Sequence, residues 1–148
     1  MLLWVFVSAM KEFKGSAGIC VKDNKLLMVL QGTLDEEKLW TVPSGGLEQE
    51  ETFEQCCIRE FHEETGYHVE VKEYLQTKSS TIKDFQVTVK YYLVNIIGGE
   101  KTFHDPDNLI HDIQWIDSDK FKNLKLSFEE DREMLLAFIN QKKFRQTQ

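Results

Sequence analysis

The sequence predicts an α/β domain in which a mixed β-sheet carries one helix on each side. Apolar, β-prone runs recur along the chain, and two capping boxes mark the starts of two helices. A chain of 148 residues is long enough to bury one core, and we see no internal repeat or linker that would divide it. We therefore expect a single domain over residues 10–148.

The strands follow the apolar runs in order. Residues 15–23 and 25–32 flank Asp23-Asn24, a pair that favours a hairpin turn. Residues 40–43 are predicted as a short strand. Three longer strands are predicted at 69–80, 86–97 and 110–117.

The helices are marked by their ends. Thr-x-x-Gln at 52–55 is a capping box that predicts a helix ending near Thr65, with Gly66 as its C-terminal stop. Ser-x-x-Glu at 127–130 predicts a second, C-terminal helix that continues to about Gln141.

Composition excludes some classes of partner. The net charge of −7 argues against a basic face that binds long nucleic acids, although bound cations would still admit a small phosphate-bearing ligand. Three cysteines without a CxxC pair indicate reduced thiols in a cytoplasmic protein and argue against a zinc site.

Residues 1–9 are apolar but too short to span a bilayer, and they lack the basic start and cleavage site of a signal peptide. We interpret them as an N-terminal extension. A first strand or a packing arm is the alternative. No membrane attachment is expected.

The first helix is predicted to carry carboxylates on one face. At about 3.6 residues per turn, Glu60, Glu63 and Glu64 point the same way. Adjacent carboxylates form a hard oxygen site suited to Mg²⁺ or Mn²⁺. A solvated acidic face is the alternative, because like-charge pairs there cost only about a few tenths of a kcal/mol each.

The other side of this helix is predicted to face the core through four apolar residues: Phe53, Cys57, Ile58 and Phe61. The small side chains of Cys56 and Cys57 would let the helix lie close to the sheet.

The acidic residues belong to a longer pattern: Gly45, five residues, Glu51, seven residues, Arg59-Glu60-Phe61, one residue, Glu63-Glu64, one residue, Gly66-Tyr67. Every fixed position of the Nudix box, G-x5-E-x7-R-E-U-x-E-E-x-G-U, is matched, where U is a bulky apolar residue; Tyr67 is a slightly polar choice for the last one. Seven such identities would coincide by chance on the order of once in 10^8 windows. Together with the lead-in WTVPSGG, the pattern resembles the Nudix hydrolases, from about residue 13 onward.

The resemblance implies a Nudix-type α/β/α sandwich, with a mixed sheet flanked by the Nudix-box helix and a C-terminal helix. It implies hydrolysis of a nucleoside diphosphate linked to another moiety, assisted by Mg²⁺ or Mn²⁺. An acidic protein would repel a diphosphate, so metal ions held by the glutamates would have to bridge the two.

The resemblance also assigns roles within the box. It implies that Glu63 and Glu64 bind metal and that Glu60 is a ligand or general base. A backbone carbonyl of Ser44 or Gly45 would complete the metal shell. Ser44 stands where the family often has glycine, a departure that a carbonyl ligand tolerates.

The resemblance implies roles for an arginine of the box and for an acidic residue beyond it, each with an alternative. Arg59 would orient the glutamates by pairing with Glu51; a plain surface salt bridge is the alternative. Glu100, after the strand at 86–97, is a candidate for a further acid, or an exposed loop charge. Three residues of the same loop compete with it: His104, Asp105 and Asp107.

The sequence indicates the substrate less clearly than it indicates the metal site. Trp40 and Phe85 are candidates for base stacking, as are Tyr91 and Tyr92, although each is also a reasonable core residue. Glu129, with its neighbours Glu130 and Asp131, would read a purine edge or simply favour a helix N-terminus.

Two subfamily markers are absent. Thr81 lies near the position where the ADP-ribose group has proline, and Asp84 where a dinucleoside-polyphosphate group has tyrosine. We therefore expect a MutT-like pyrophosphatase that converts an NTP, dNTP or oxidised dNTP to the monophosphate and pyrophosphate, as a monomer or homodimer. The alternatives are an ADP-ribose or nucleotide-sugar pyrophosphatase and a non-catalytic nucleotide sensor.

Overall fold

A computed structural model of the chain describes residues 11–102 and 109–140. Residues 1–9, the three loop candidates at 104, 105 and 107, and the predicted helix end at Gln141 lie outside this part. The described strands are β1 Lys11–Ile19, β2 Val21–Lys22, β3 Lys25–Gln31, β4 Leu39–Thr41, β5 Ser44–Gly46, β6 Tyr67–Ile82, β7 Phe85–Gly99 and β8 Ile110–Ile116. The helices are α1 Phe53–Thr65, α2 Ser118–Phe121 and α3 Arg132–Ile139, the last preceded by a 3₁₀ turn at Glu129–Asp131.

The predicted mixed sheet is confirmed. Its strand order is β5-β1-β7-β6, with β1 parallel to β7 and the other two pairs antiparallel. A second, antiparallel sheet forms around β3, which pairs with β2, β4 and β8. The sequence did not predict this division into two sheets, nor the short elements β5 and α2.

Helix α1 begins and ends where the sequence predicts. The side chain of Thr52 accepts a hydrogen bond from the backbone of Gln55, and the Gln55 side chain accepts one from the backbone of Thr52. Gly66 ends the helix at a φ of 84°, and its N–H donates to the His62 carbonyl. A side chain is excluded at Gly66, because a Cβ there would lie 2.3 Å from the Glu100 carbonyl oxygen.

The core face of α1 is formed largely as predicted. Cys56, Cys57 and Phe61 are buried, and the Phe61 ring packs so closely on Gly18 that a Cβ there would lie 2.7 Å away. The prediction for Ile58 is wrong, since 37% of this residue is exposed. A helix turns by about 100° per residue, so the residue after Cys57 leaves the core face.

The predicted second capping box is also wrong. Ser127 does not cap the helix, because the 3₁₀ turn lies between them. The N-cap residues are Phe128 for the 3₁₀ turn and Asp131 for α3, and neither makes a side-chain capping bond. The start of α3 is held instead by Arg132, whose guanidinium donates to the carbonyls of Phe121 at 3.1 Å and Leu124 at 2.7 Å. In the described residues, no helix is long and apolar enough to cross a membrane.

Candidate active site

The start of α1 and strand β5 are held together at one edge of the mixed sheet. In the pairing of β1 with β5, Ser16 lies opposite Gly45. The buried Ser16 hydroxyl donates to the Phe53 carbonyl at 2.6 Å, and the Cys56 thiol lies 3.4 Å from the Gly45 carbonyl oxygen. These contacts fix the helix against the strand that precedes it.

Gly45 lies directly against the first carboxylate of the predicted metal site. A Cβ at this position would lie 2.1 Å from Oε2 of Glu60 and 2.2 Å from its carboxyl carbon. The absence of a side chain at residue 45 therefore allows the Glu60 carboxylate to reach the backbone of β5.

Arg59 connects the carboxylates. Its guanidinium makes a two-pronged pair with Glu51, with Nε donating to Oε2 at 2.7 Å and Nη2 to Oε1 at 2.8 Å. Nη1 donates to Glu60 at 2.6 Å and to Glu63 at 3.2 Å, and Nη2 also donates to the Gly46 carbonyl at 2.9 Å. The predicted pairing of Arg59 with Glu51 is thus present and extends to two of the three site glutamates.

The charges in this cluster are unequally balanced. The Arg59 hydrogen bonds hold the pKa of Glu51 below its ordinary value. Burial raises the pKa of Glu60, in spite of the lowering effect of its hydrogen bonds from Arg59 and with Glu64. Glu60 is therefore a carboxylate whose charge is not fully compensated by the protein.

Glu60, Glu63 and Glu64 share a cavity of about 240 Å³. Its other lining residues are Phe13, Gln31, Ser44, Gly45, Gly46, Leu109 and Ile110. The backbone N–H of Ser44 donates to Glu64 at 3.4 Å, which places β5 next to the third glutamate.

In the described part of the chain, no three Asp, Glu, His or Cys side chains converge closely enough to enclose a metal ion. The donor set nevertheless fits a divalent cation. Carboxylate and backbone oxygens are hard ligands, and the burial of Glu60 favours a nearby positive charge. The glycine at residue 45 keeps backbone and carboxylate oxygens side by side.

A larger cavity, of about 370 Å³, continues from the first. The two share four lining residues, Phe13, Gln31, Ser44 and Gly45. Most of the larger cavity is apolar, and its charged lining residues are Lys78 and Glu130. A ligand that occupied both cavities would thus place a charged part at the glutamates and an apolar part beside them.

Comparison with known proteins agrees with this geometry. The NUDIX domain model matches residues 12–138. The chain belongs to the Nudix hydrolase family. A likeness to solved structures supports the fold: a NUDIX hydrolase from Nitrosomonas europaea superposes with a TM-score of 0.75 at 18% identity, covering 90% of each chain.

Two curated relatives of this Nudix chain carry different activities in their names. An ADP-ribose pyrophosphatase of Methanocaldococcus jannaschii is 35% identical over 85 residues, which cover 56% of this chain and 50% of the relative. An 8-oxo-dGTP diphosphatase of Proteus vulgaris is 30% identical over 86 residues, covering 57% of this chain and 77% of the relative. The chain thus spans about half the length of the first relative.

The remaining predicted residues of this Nudix domain lie elsewhere. Trp40 packs against the core, Phe85 lies at the β6–β7 turn with the Lys11 ammonium 5.5 Å from its ring centre, and Glu129 pairs with Arg132 at 2.7 Å. None of the three lines either described cavity, and neither does the exposed Glu100. Their predicted roles stay predictions without support from this placement.

Other residues take the positions that the sequence did not indicate. Phe13 and Lys78 line the larger cavity because β1 and β6 pair with β7, which sets Phe13 opposite Val87 and Lys78 opposite Val89. Phe128 joins them from the segment before α3. No local motif marks these residues, and only the strand register could have found them.

Proposed function

We propose that the chain is a divalent-cation-dependent hydrolase of a pyrophosphate bond in a nucleoside diphosphate linked to another group. The preferred substrate is an NTP, dNTP or oxidised dNTP, with the nucleoside monophosphate and pyrophosphate as products. The observation that carries this proposal is the continuity of the two cavities. One is lined by Glu60, Glu63 and Glu64, and the other is apolar and large enough to accept a base and sugar.

In this proposal the site residues bind the metal ion and accept a proton. Glu60, Glu63 and Glu64, with the carbonyl of Ser44 or Gly45, would hold Mg²⁺ or Mn²⁺. The bound cation would neutralise phosphate charge and acidify an attacking water. Glu60 is our candidate among the three to accept a proton, because burial raises its pKa above the ordinary value of a glutamate.

Arg59 acts as a positioning residue. Its pair with Glu51 fixes the guanidinium, and the fixed Nη1 in turn orients Glu60 and Glu63. An arginine suits this role because its planar group presents donors in two directions at once.

Two related functions are the alternatives. The M. jannaschii relative favours ADP-ribose or a nucleotide sugar as the substrate. A non-catalytic nucleotide sensor would also use both cavities, although it would have no need of the complete set Arg59, Glu60, Glu63 and Glu64. A cytoplasmic, small-molecule enzyme, monomeric or homodimeric, stays our expectation.

The test is turnover of a substrate panel by the purified chain with Mg²⁺ or with Mn²⁺. The panel holds the dNTPs, 8-oxo-dGTP, ADP-ribose and dinucleoside polyphosphates, with products separated by chromatography. The variant Glu64→Gln removes a ligand charge with little change in shape, and Glu54→Gln, at an exposed position of the same helix, is its control.

Monophosphate and pyrophosphate release, lost with EDTA and in Glu64→Gln but kept in Glu54→Gln, is the expected result. AMP and ribose 5-phosphate as products would replace the triphosphate substrate by ADP-ribose. Nucleotide binding without turnover of any substrate, equal in wild type and Glu64→Gln, would establish the sensor instead.

A further inference from the structure

Lys78 lies in the wall of the larger cavity, and the proposed chemistry gives it no role. It is the only lysine or arginine among the described residues that line this cavity. Its ammonium lies 3.2 Å from Oδ1 and 3.3 Å from Oδ2 of Asp131, and 3.2 Å from Oε2 of Glu130. It also lies 4.4 Å from the centre of the Phe128 ring.

The two acidic partners of Lys78 differ in kind. Asp131 is only 6% exposed, and its Oδ2 also accepts a hydrogen bond from the Tyr91 hydroxyl at 2.6 Å. Both oxygens of Asp131 are thus engaged within the protein, so this carboxylate anchors Lys78 and does not meet a ligand. The Glu130 side chain is 61% exposed, and an ion pair of this exposed type is weak enough for a ligand to displace it.

We propose that Lys78 is a specificity-determining residue that donates a hydrogen bond to the carbonyl oxygen at C6 of a purine or C4 of a pyrimidine. The cavity then selects guanine, hypoxanthine, uracil and thymine over adenine and cytosine. This inference rests on the proposed function, which places the nucleoside in this cavity.

The selection follows from the chemistry of the ammonium group, which has three donors and no acceptor. The group at C6 of a purine or C4 of a pyrimidine lies on the edge of the base away from the sugar, and in the proposed complex it meets the anchored ammonium. A carbonyl oxygen accepts from it, whereas the amino group of adenine or cytosine would turn an N–H toward an N–H. That arrangement leaves the ammonium N–H that faces the base, and the amino group of the base, without an acceptor in a largely apolar cavity.

The test uses two ligand pairs that differ only at this edge of the base. Binding of IMP and AMP, and of UMP and CMP, to the full chain is measured by isothermal titration calorimetry without divalent metal. We expect IMP and UMP to bind roughly tenfold to a hundredfold more tightly than their amino counterparts, the range of one hydrogen bond to a charged group.

The variant Lys78→Met keeps the length of the side chain and removes the donors. It should reduce both preferences to less than about threefold, and Lys78→Arg should keep them in part. The matched control is Lys90→Met on β7, whose ammonium lies 4.6 Å from the Phe53 ring centre and outside the cavity lining. If Lys78→Met unfolds because Asp131 loses its counter-charge, the double variant Lys78→Met/Asp131→Asn removes both charges and gives the same readout.

Equal binding within each pair, absence of binding by all four monophosphates, or an unchanged preference in the folded Lys78 variants would each overturn the inference. Turnover of the matching triphosphates separates it from the proposed function. Hydrolysis without base preference would overturn only the role of Lys78. Base-selective binding that depends on Lys78, with no hydrolysis, would support that role and overturn the catalytic proposal.

Discussion

Substitution of Gly45 by alanine tests the geometry of the candidate active site most directly. The new Cβ would lie 2.1 Å from Oε2 of Glu60, whereas ordinary contacts begin at 3.4 Å, so the carboxylate must retreat by about 1.3 Å. Glu60 ends a flexible side chain and can move, but its Oε1 is held by Arg59 at 2.6 Å. The retreat therefore weakens or breaks this charge-assisted hydrogen bond.

The expected effects on stability and activity differ in size. Loss of the bond and crowding together cost about 1–3 kcal/mol, which corresponds to a fall in Tm of roughly 3–10 °C for a chain of this length. A displacement of about 1 Å at a reacting group lowers kcat by on the order of 100-fold. Activity should thus fall far more than the folded fraction.

The assay compares the Tm and kcat of Gly45→Ala with those of Gly98→Ala. Gly98 is the matched control because a Cβ there meets no atom within 4 Å, and neither glycine has a φ in the left-handed range. We expect Gly98→Ala to match the wild type in both measurements. If Gly45→Ala keeps the wild-type Tm and a kcat within threefold of the wild-type value, Glu60 does not lie against residue 45.

Three further perturbations have defined outcomes. Arg59→Lys keeps the charge but loses the two-pronged pair with Glu51, so we expect kcat to fall at least about tenfold while KM changes little; an unchanged kcat would contradict the positioning role. Tyr91→Phe removes the donor to Asp131 and should lower the free energy of unfolding by about 1–2 kcal/mol in urea titrations, and no loss would mean that this bond adds nothing to stability. Burial raises the pKa of the Cys57 thiol to about 12, above its unfolded value near 9.0. The thiol therefore makes its full contribution to the free energy of unfolding below pH 9, and this contribution is lost as the pH rises toward 12, by at most about 1.4 kcal/mol per pH unit. Cys57→Ala should make the fall in the free energy of unfolding less steep, and an equally steep fall in the variant would assign it to other groups.

Local signals in the sequence predict the elements that local chemistry determines. Both ends of helix α1 are predicted, because Thr52, Gln55 and Gly66 satisfy them without help from the rest of the fold. The C-terminal helix is predicted with the wrong start. Ser127 and Glu130 match the capping pattern, but contacts from Arg132 to distant carbonyls set the conformation there instead.

The candidate site divides in the same way. Glu60, Glu63 and Glu64 can be predicted because their spacing on one helix decides their direction. The walls of the larger cavity cannot, because Phe13 and Lys78 meet only through the pairing of distant strands. A register is a property of the whole sheet, and a shift by one residue would turn Lys78 to the opposite face.

The crowding of acids on α1 is best understood from the charge that remains after Arg59 is counted. Four carboxylates, those of Glu48, Glu51, Glu60 and Glu63, lie within 3.3 Å of the nitrogens of one guanidinium, which makes a two-pronged pair with Glu51 and shares Nη1 between Glu60 and Glu63. One positive charge cannot compensate four negative ones, and burial already raises the pKa of Glu60. A helix that served stability alone would be better with fewer of these glutamates. Their retention is explained if positive charge is supplied from outside the chain, and hard oxygen donors beside a cavity that can hold phosphates make a divalent cation the natural source.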